Sequence, residues 1–247
     1  MAMKLRIDLR KGLAELVLIF IGITLALTFE NWNTDNERRA QELILLSELL
    51  VDLQETKADL QNDILGAQNR LKQTEEVLRW FSGDEDYVDS LNALGQICFS
   101  GHELFATTTT YDSIQTIGMD LIRNDSIRSN TARFFEQALE RVYMAEDRLF
   151  SLNLDYCWPI VYSNSEFGES VEFELGLTFP NRAGGVQSLV QHPSPQTKNT
   201  QELRNDEHSR AVMFQNYNYR LRTITFYKMA EESIDVLISM IVDEIAS

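Results

Sequence analysis

The sequence predicts a mainly α protein: an N-terminal transmembrane helix followed by an extended antiparallel helical bundle with a small β-hairpin insertion. Three observations carry this. Glycine (11) and proline (4) are scarce in 247 residues, whereas loop-rich sheet folds need both at their turns. A run near the start is apolar and almost free of charge. Beyond it, apolar residues recur at steps of three and four over more than five heptads, the period of a helix with a buried seam. With 44% hydrophobic residues, the chain can still bury a core after one span. The expected organisation is a basic cytoplasmic N-terminus over 1–12, a transmembrane helix over 13–30, and an extracytoplasmic helical domain over 34–247.

The apolar run is Leu13 to Phe29, in which Glu15 is the one charged residue. As a helix it covers about 25 Å, and the stems of Arg10 and Lys11 can extend it toward a hydrocarbon core of about 30 Å. Trp32 suits the outer interface. A cleaved signal peptide is the competing reading, with Ala26-Leu27-Thr28 as its weak cleavage site. Residues 1–11 carry Lys4, Arg6, Arg10 and Lys11 against Asp8, whereas acids outnumber bases after the run. The positive-inside rule then places the N-terminus in the cytoplasm. Glu15 is a candidate for ion passage or for pairing with a partner helix, since carboxyls in a span are costly. It also lies one turn inside the helix, where an acid suits the positive helix end and Lys11 is four residues away. Gly22-x-x-x-Ala26 is a small-xxx-small pattern that permits two copies to approach closely.

The heptad run starts at Leu43 and continues through Leu46, Leu50, Leu53, Leu60, Ile64 and Leu71 to Phe81. It is either a coiled coil between copies or one helix whose seam later helices of the same chain cover. Ile44, Leu45, Leu49 and Val51 broaden the stripe, which favours the intrachain bundle. Ser82-Gly83 ends it. Further helices are expected from about Glu85 to Cys98, from Thr110 to Ile122, and from Asp125 to near Trp158, where Pro159 disfavours continuation. Between Glu169 and Pro180 the period changes to two: Val171, Phe173, Leu175, Leu177 and Phe179 alternate with smaller or polar residues. This reads as a strand paired with Val186 to Val190, within an insertion over 165–202. From His192 to Asn205 the chain reads as a loop. A last helix is expected from about Glu207 to Ile245, its stripe of Met213, Tyr217, Ile224, Tyr227, Ile234, Ile238, Ile241 and Ile245 facing the first long helix.

Net charge is −16, which repels phosphate backbones, so no nucleic acid is expected as a partner. The expected partners are the lipid bilayer and either the protein itself, as a homo-oligomer, or another membrane or periplasmic protein. No metal site is predicted, because His102, His192 and His208 lack a ligand spacing. Asp84-Glu85-Asp86 with Asp89 lacks the glycine and distal glutamate of a calcium loop. No phosphate-binding glycine loop or nucleophile motif is present. No cofactor and no catalytic residue are therefore predicted. Cys98 and Cys157 fall on apolar helical stretches outside the cytoplasm, and are either bridged or two buried thiols.

Three stretches together resemble a family of bacterial single-pass membrane proteins known as a domain of unknown function. They are the anchor from Glu15-Leu16 through Ile21-Gly22-Ile23 to Asn31-Trp32-Asn33, then Glu48-Leu49-Leu50-Val51-Asp52-Leu53, then Thr109-Thr110-Tyr111-Asp112-Ser113-Ile114 with Gly118 and Leu121-Ile122-Arg123-Asn124. The resemblance covers about the first 140 residues and implies the topology, a bacterial inner-membrane anchor, and no reaction. In the third stretch, Thr109 or Thr110 is expected to cap a helix and Gly118 to permit close helix contact. Asn124 is expected to leave that helix left-handed, with Asp125 capping the next. A pocket around Tyr111 and Arg123 is the alternative to this structural corner. The expected role is structural, scaffolding or sensing, by protein–protein interaction. Its rival is an oligomeric channel or transport accessory with Glu15 in a shared path.

Overall fold

The computed structural model describes residues 9–83, 92–99, 103–166, 196–198 and 200–246, and they are mainly α. One helix, α1, runs without a break from Leu9 to Ser82, about 110 Å at 1.5 Å per residue. It contains no proline and stops at Gly83, whose φ of +88° is the left-handed cap expected there,. After it come α2 (Asn92–Phe99), α3 (Thr109–Ile117), a 3₁₀ turn (Met119–Leu121), α4 (Asp125–Arg133), α5 (Leu139–Leu152), α6 (Trp158–Asn164), α7 (Thr200–Asn205) and α8 (Glu207–Ala246).

α8 returns antiparallel along α1. Cross-links keep one register: Lys57 with Asp235 (2.5 Å), Gln61 with Glu231 (2.8 Å), and Glu75 with Tyr217 (3.1 Å). In each pair the two residue numbers add to the same total, as antiparallel helices require. Leu46, Leu49, Leu53 and Leu60 are fully buried against Tyr227, Ala230, Ile234 and Leu237 of α8 and Ile114, Ile127 and Phe134 of the shorter helices. The seam of α1 is thus covered from within the chain. A second apolar cluster closes the far end, built from Val77, Trp80 and Phe81, with Leu94 and Ile97 of α2 and Ile160, Leu203 and Met213.

Between the two clusters lies a buried polar layer. Arg220 donates from Nε to Asn216 Oδ1 (2.7 Å) and from its terminal nitrogen to the Ile97 carbonyl (2.6 Å). Asn216 in turn donates to Asn153 Oδ1 (2.6 Å). Buried polar groups need such partners, since an unmade hydrogen bond costs more than a made one gains.

Several expectations need correction. α3 ends at Ile117, not Ile122, because Gly118 has φ +123° and turns the chain. Gly118 therefore serves a turn rather than a close helix contact; a Cβ there would stand 2.5 Å from Asp120 Oδ1. Asn124 is not left-handed: at φ −75° it is itself the N-cap of α4, accepting from the Ser126 and Ile127 N–H groups, so Asp125 is not the cap. The helix begun at Asp125 passes Pro159 and ends at Asn164, interrupted by two π turns at Phe134–Ala138 and Asn153–Cys157. The second widens the ladder just before Pro159, where a missing donor costs least. Thr200–Asn205 is helical rather than loop, because Leu203 is buried in the far cluster. Ile245 lies on the exposed side of α8.

The strands expected at 171–179 and 186–190 lie outside the described residues, as do the start of the helix expected from Glu85, the acidic turn at 84–89, and His102 and His192. The described part of the insertion holds a two-residue antiparallel pair, Ser165–Glu166 with Gln196–Thr197.

Candidate functional site

The first feature is the bare section of α1. Among the described residues one helix is long and apolar enough to cross a membrane: an 18-residue window near its start has mean hydropathy 1.5 and none of it is buried. Glu15, Gly22 and Ala26 are all exposed, and nothing lies within 4 Å of a Cβ built on Gly22. Thr24 and Thr28 return their hydroxyls to the carbonyls of Phe20 (2.8 Å) and Thr24 (2.7 Å). This satisfies both hydroxyls without water, as a hydrocarbon setting demands.

Where α1 enters the bundle, a polar clamp forms. Glu42 is fully buried, although it sits among exposed charges in the sequence. Its Oε1 accepts the Arg123 backbone N–H (2.7 Å), and its Oε2 meets Arg39 (2.8 Å). Arg39 also pairs with Glu244 near the end of α8 (2.8 Å), and Asn124 donates its amide to Glu244 Oε2 (2.9 Å). Arg123 reaches down to Asp35, donating to its carboxylate (3.0 Å) and carbonyl (2.7 Å). The Asn124 amide and Arg39 together hold the Glu244 carboxyl below its ordinary value, and the Glu42 partnership raises Arg39. Three separate parts of the chain, α1, the turn before α4, and the end of α8, are thereby tied together at the point nearest the apolar run.

Higher up, residues 103–108, which form neither helix nor strand, make a strap in which two backbone donors are taken by side chains. Leu104 N–H donates to Glu146 Oε1 (3.1 Å), and Thr107 N–H to Thr56 Oγ1 (3.0 Å). Ala106 is hydrogen-bonded from its backbone to Tyr143. At the start of α3, the expected Thr109 or Thr110 cap is absent; the Thr110 N–H is taken instead by Asp52 of α1 (2.9 Å). A carboxylate at a helix N-terminus is favoured by the orphan N–H groups and the dipole. The second and third resemblance-bearing stretches thus meet through Asp52 and Thr110.

Glu146 also accepts the Tyr227 hydroxyl (2.5 Å) and is buried between α5, α8 and the strap. Burial pushes its carboxyl up to about 7, against the opposing pull of those two hydrogen bonds and with the charges of Asp63 and Glu103 adding to it,. Asp63, facing it from α1, is pushed up to about 6 by burial and by Asp59. Burial and the hydrogen bond to Glu146 drive Tyr227 far above the ordinary tyrosine value. A cleft of about 260 Å³ opens beside Glu146, lined by Phe105, Tyr143 and Phe150 with Glu103 and Asp147 at its edge.

Tyr111 and Arg123 belong to separate networks. Tyr111 donates to Glu136 (2.8 Å), receives Gln115 (2.7 Å) and stacks on Phe135 with centroids 4.2 Å apart. Arg123 belongs to the clamp. Cys98 and Cys157 form a disulfide with Cα atoms 5.3 Å apart, joining α2 to the second π turn. Among the described residues no group of three or more His, Cys, Asp or Glu is placed to hold a metal ion.

Glu42, Glu146, Asn216 and Arg220 are not legible as site residues in the sequence. The signal available there is a polar residue in phase with a buried apolar stripe, which marks position but not partner. Comparison with curated proteins and with solved structures finds no match. Residues 15–148, more than half the chain and including most of the apolar run, the clamp residues of α1, the strap and Glu146, match the profile of a family of unknown function (DUF6090), and the chain belongs to that family.

Proposed function

We propose that this is a membrane-tethered protein of the bacterial inner membrane, with its basic N-terminus in the cytoplasm and its helical domain outside. It works by protein–protein interaction as a structural, scaffolding or sensing component. The observation that carries this reading is the continuity of α1: one uninterrupted helix contains both the uncovered apolar segment and the buried seam of the bundle. The clamp of Arg39, Glu42, Arg123, Asn124 and Glu244 sits at the junction and resists rotation of the domain about its anchor. Such a lever suits a component that holds, or reports on, a partner at a fixed distance from the bilayer.

The test is membrane retention followed by mass. The full chain is expected to stay with membranes through an alkaline carbonate wash, and its mass in mild detergent is compared with that of the domain from Thr34 onward. Release by carbonate would overturn the reading. The rival is an oligomeric channel or transport accessory that uses Glu15, favoured by the exposure of a carboxyl within the apolar run,. There Glu15→Gln abolishes ion flux without loss of protein; monomeric full-length protein or unaltered flux removes it.

A further inference from the structure

Tyr143, Glu146, Asp147 and Phe150 follow one another along α5 at helical spacing, so they share one face, and the strap lays Glu103 and Phe105 across it,. Acids and aromatic rings thus line one cleft of about 260 Å³, with no lysine, arginine or histidine among its described lining residues. Phe105 is 75% exposed, and Tyr143 and Phe150 are also open to solvent. Glu146 differs from the other acids: it lines the cleft yet is only 8% exposed. Both of its protein hydrogen bonds, from the Leu104 N–H (3.1 Å) and the Tyr227 hydroxyl (2.5 Å), fall on Oε1. Among the described residues Oε2 takes no donor, and it is not sealed in as the unpaired Thr131 hydroxyl is. A carboxylate oxygen this far from bulk water is costly without a donor, so a ligand that brings one is favoured.

We propose that this cleft binds an alkylammonium ion, whose N–H donates to Glu146 Oε2 and whose methylene stem lies along Phe105, Tyr143 and Phe150. Three features select that class. Glu103, Glu146 and Asp147 line the cleft and Asp63 of α1 faces Glu146, so the local field favours a cation,. Aromatic walls attract an ammonium and cover its apolar stem. One open oxygen suits the point donor of an ammonium, whereas the fork of a guanidinium needs two acceptors side by side, and Oε1 already holds two donors,. An inorganic cation is not served, because among the described residues no three His, Cys, Asp or Glu are placed to hold one. The cleft gives the domain a ligand beyond its scaffolding or sensing role, and its binding is independent of the membrane tether.

The experiment is isothermal titration calorimetry of the full chain in mild detergent at fixed ionic strength, with n-butylammonium as the probe. At pH 8 saturable one-to-one binding is expected. Tetramethylammonium, which has no N–H, and n-butanol, which has no charge, should each bind about tenfold more weakly or worse. Glu146→Gln keeps an acceptor for Leu104 and Tyr227 but turns an amide toward the ammonium, and should weaken butylammonium by about tenfold or more. Phe150→Ala, at an exposed wall, should weaken it several-fold and keeps the test open if the first variant misfolds. Binding should tighten about tenfold or more from pH 5.5 to pH 8, because Glu146, pushed up to about 7, must ionise to hold the cation, and Asp63, pushed up to about 6, changes in the same sense,. Most of that rise should vanish in Glu146→Gln. Nα-acetyl-lysine amide separates two sources of the group: if it binds more tightly than butylammonium the ammonium comes from a polypeptide, otherwise from a free amine, and either supports the cleft. No saturable binding, equal binding of tetramethylammonium or butanol, or parental affinity in both variants overturns the proposal.

Discussion

Replacing Glu146 by glutamine should make the protein more stable at pH 8 and leave it nearly unchanged at pH 5. Glu146 has its carboxyl pushed up to about 7 from 4.5, with burial the leading cause. The folded state therefore holds the proton more tightly than the unfolded chain. The stability this group supplies is complete below about pH 4.5 and is lost as pH rises through about 7. A tenfold difference in proton affinity between the two states corresponds to about 1.4 kcal/mol. The gain of the variant over the parent should therefore grow by about 2–3 kcal/mol between pH 5 and pH 8. Glutamine keeps an acceptor for the Leu104 N–H and the Tyr227 hydroxyl, which both bond to Oε1, so the strap should stay seated. For a domain of this size, about 2–4 °C of Tm follows each kcal/mol, giving a differential of about 5–10 °C. The assay is thermal unfolding of the full chain in mild detergent, followed by circular dichroism at several pH values. Asp63, pushed up to about 6 by burial, contributes a slope of the same sign that remains in the variant. Parallel curves for parent and variant from pH 5 to pH 8 would refute the reasoning.

Three further perturbations test other parts of the structure. Replacing Cys98 and Cys157 by serine opens a loop of 59 residues' separation and should cost about 4 kcal/mol in the chain-entropy account; equal urea midpoints for oxidised parent and variant would contradict the bridge. Gly118→Ala forces a Cβ onto a residue at φ +123° and toward Asp120 Oδ1, with an expected loss of about 1–3 kcal/mol by denaturant titration; a neutral result would show that the turn differs. Glu42→Ala strands the Arg123 N–H and half of the Arg39 pairing. Because Arg39 keeps Glu244 and is 28% exposed, the expected cost is about 2 kcal/mol, below the range for a fully buried pair. Faster proteolysis at the α8 terminus should accompany it, and unchanged cleavage would argue against the clamp.

Helix existence is legible in the sequence because it depends on local period: a 3.6-residue apolar stripe marks α1 and α8 whatever they pack against. The stop at Gly83 and the start of α8 at Glu207 are likewise local, set by a glycine that tolerates positive φ and by Asp206, which accepts from Ser209 and His208 N–H. Boundaries within the third resemblance-bearing stretch are not. Gly118 and Asn124 each suit either a helix end or a helix contact, and which role each takes depends on Asp120, Ser126 and Glu244. Thr200–Asn205 has the composition of a loop, and it is helical because Leu203 reaches the far cluster.

By itself the sequence determined the helical class, the apolar segment near the start and the two long striped helices, since all of these are written in composition and spacing along one chain. Only the tertiary structure decided what Glu42, Glu146 and Arg220 do, because a polar residue on an apolar stripe reads the same whether it is exposed, paired or stranded. Their meaning comes from partners 81 to 123 residues away, and burial turns those distant partners into a condition for folding.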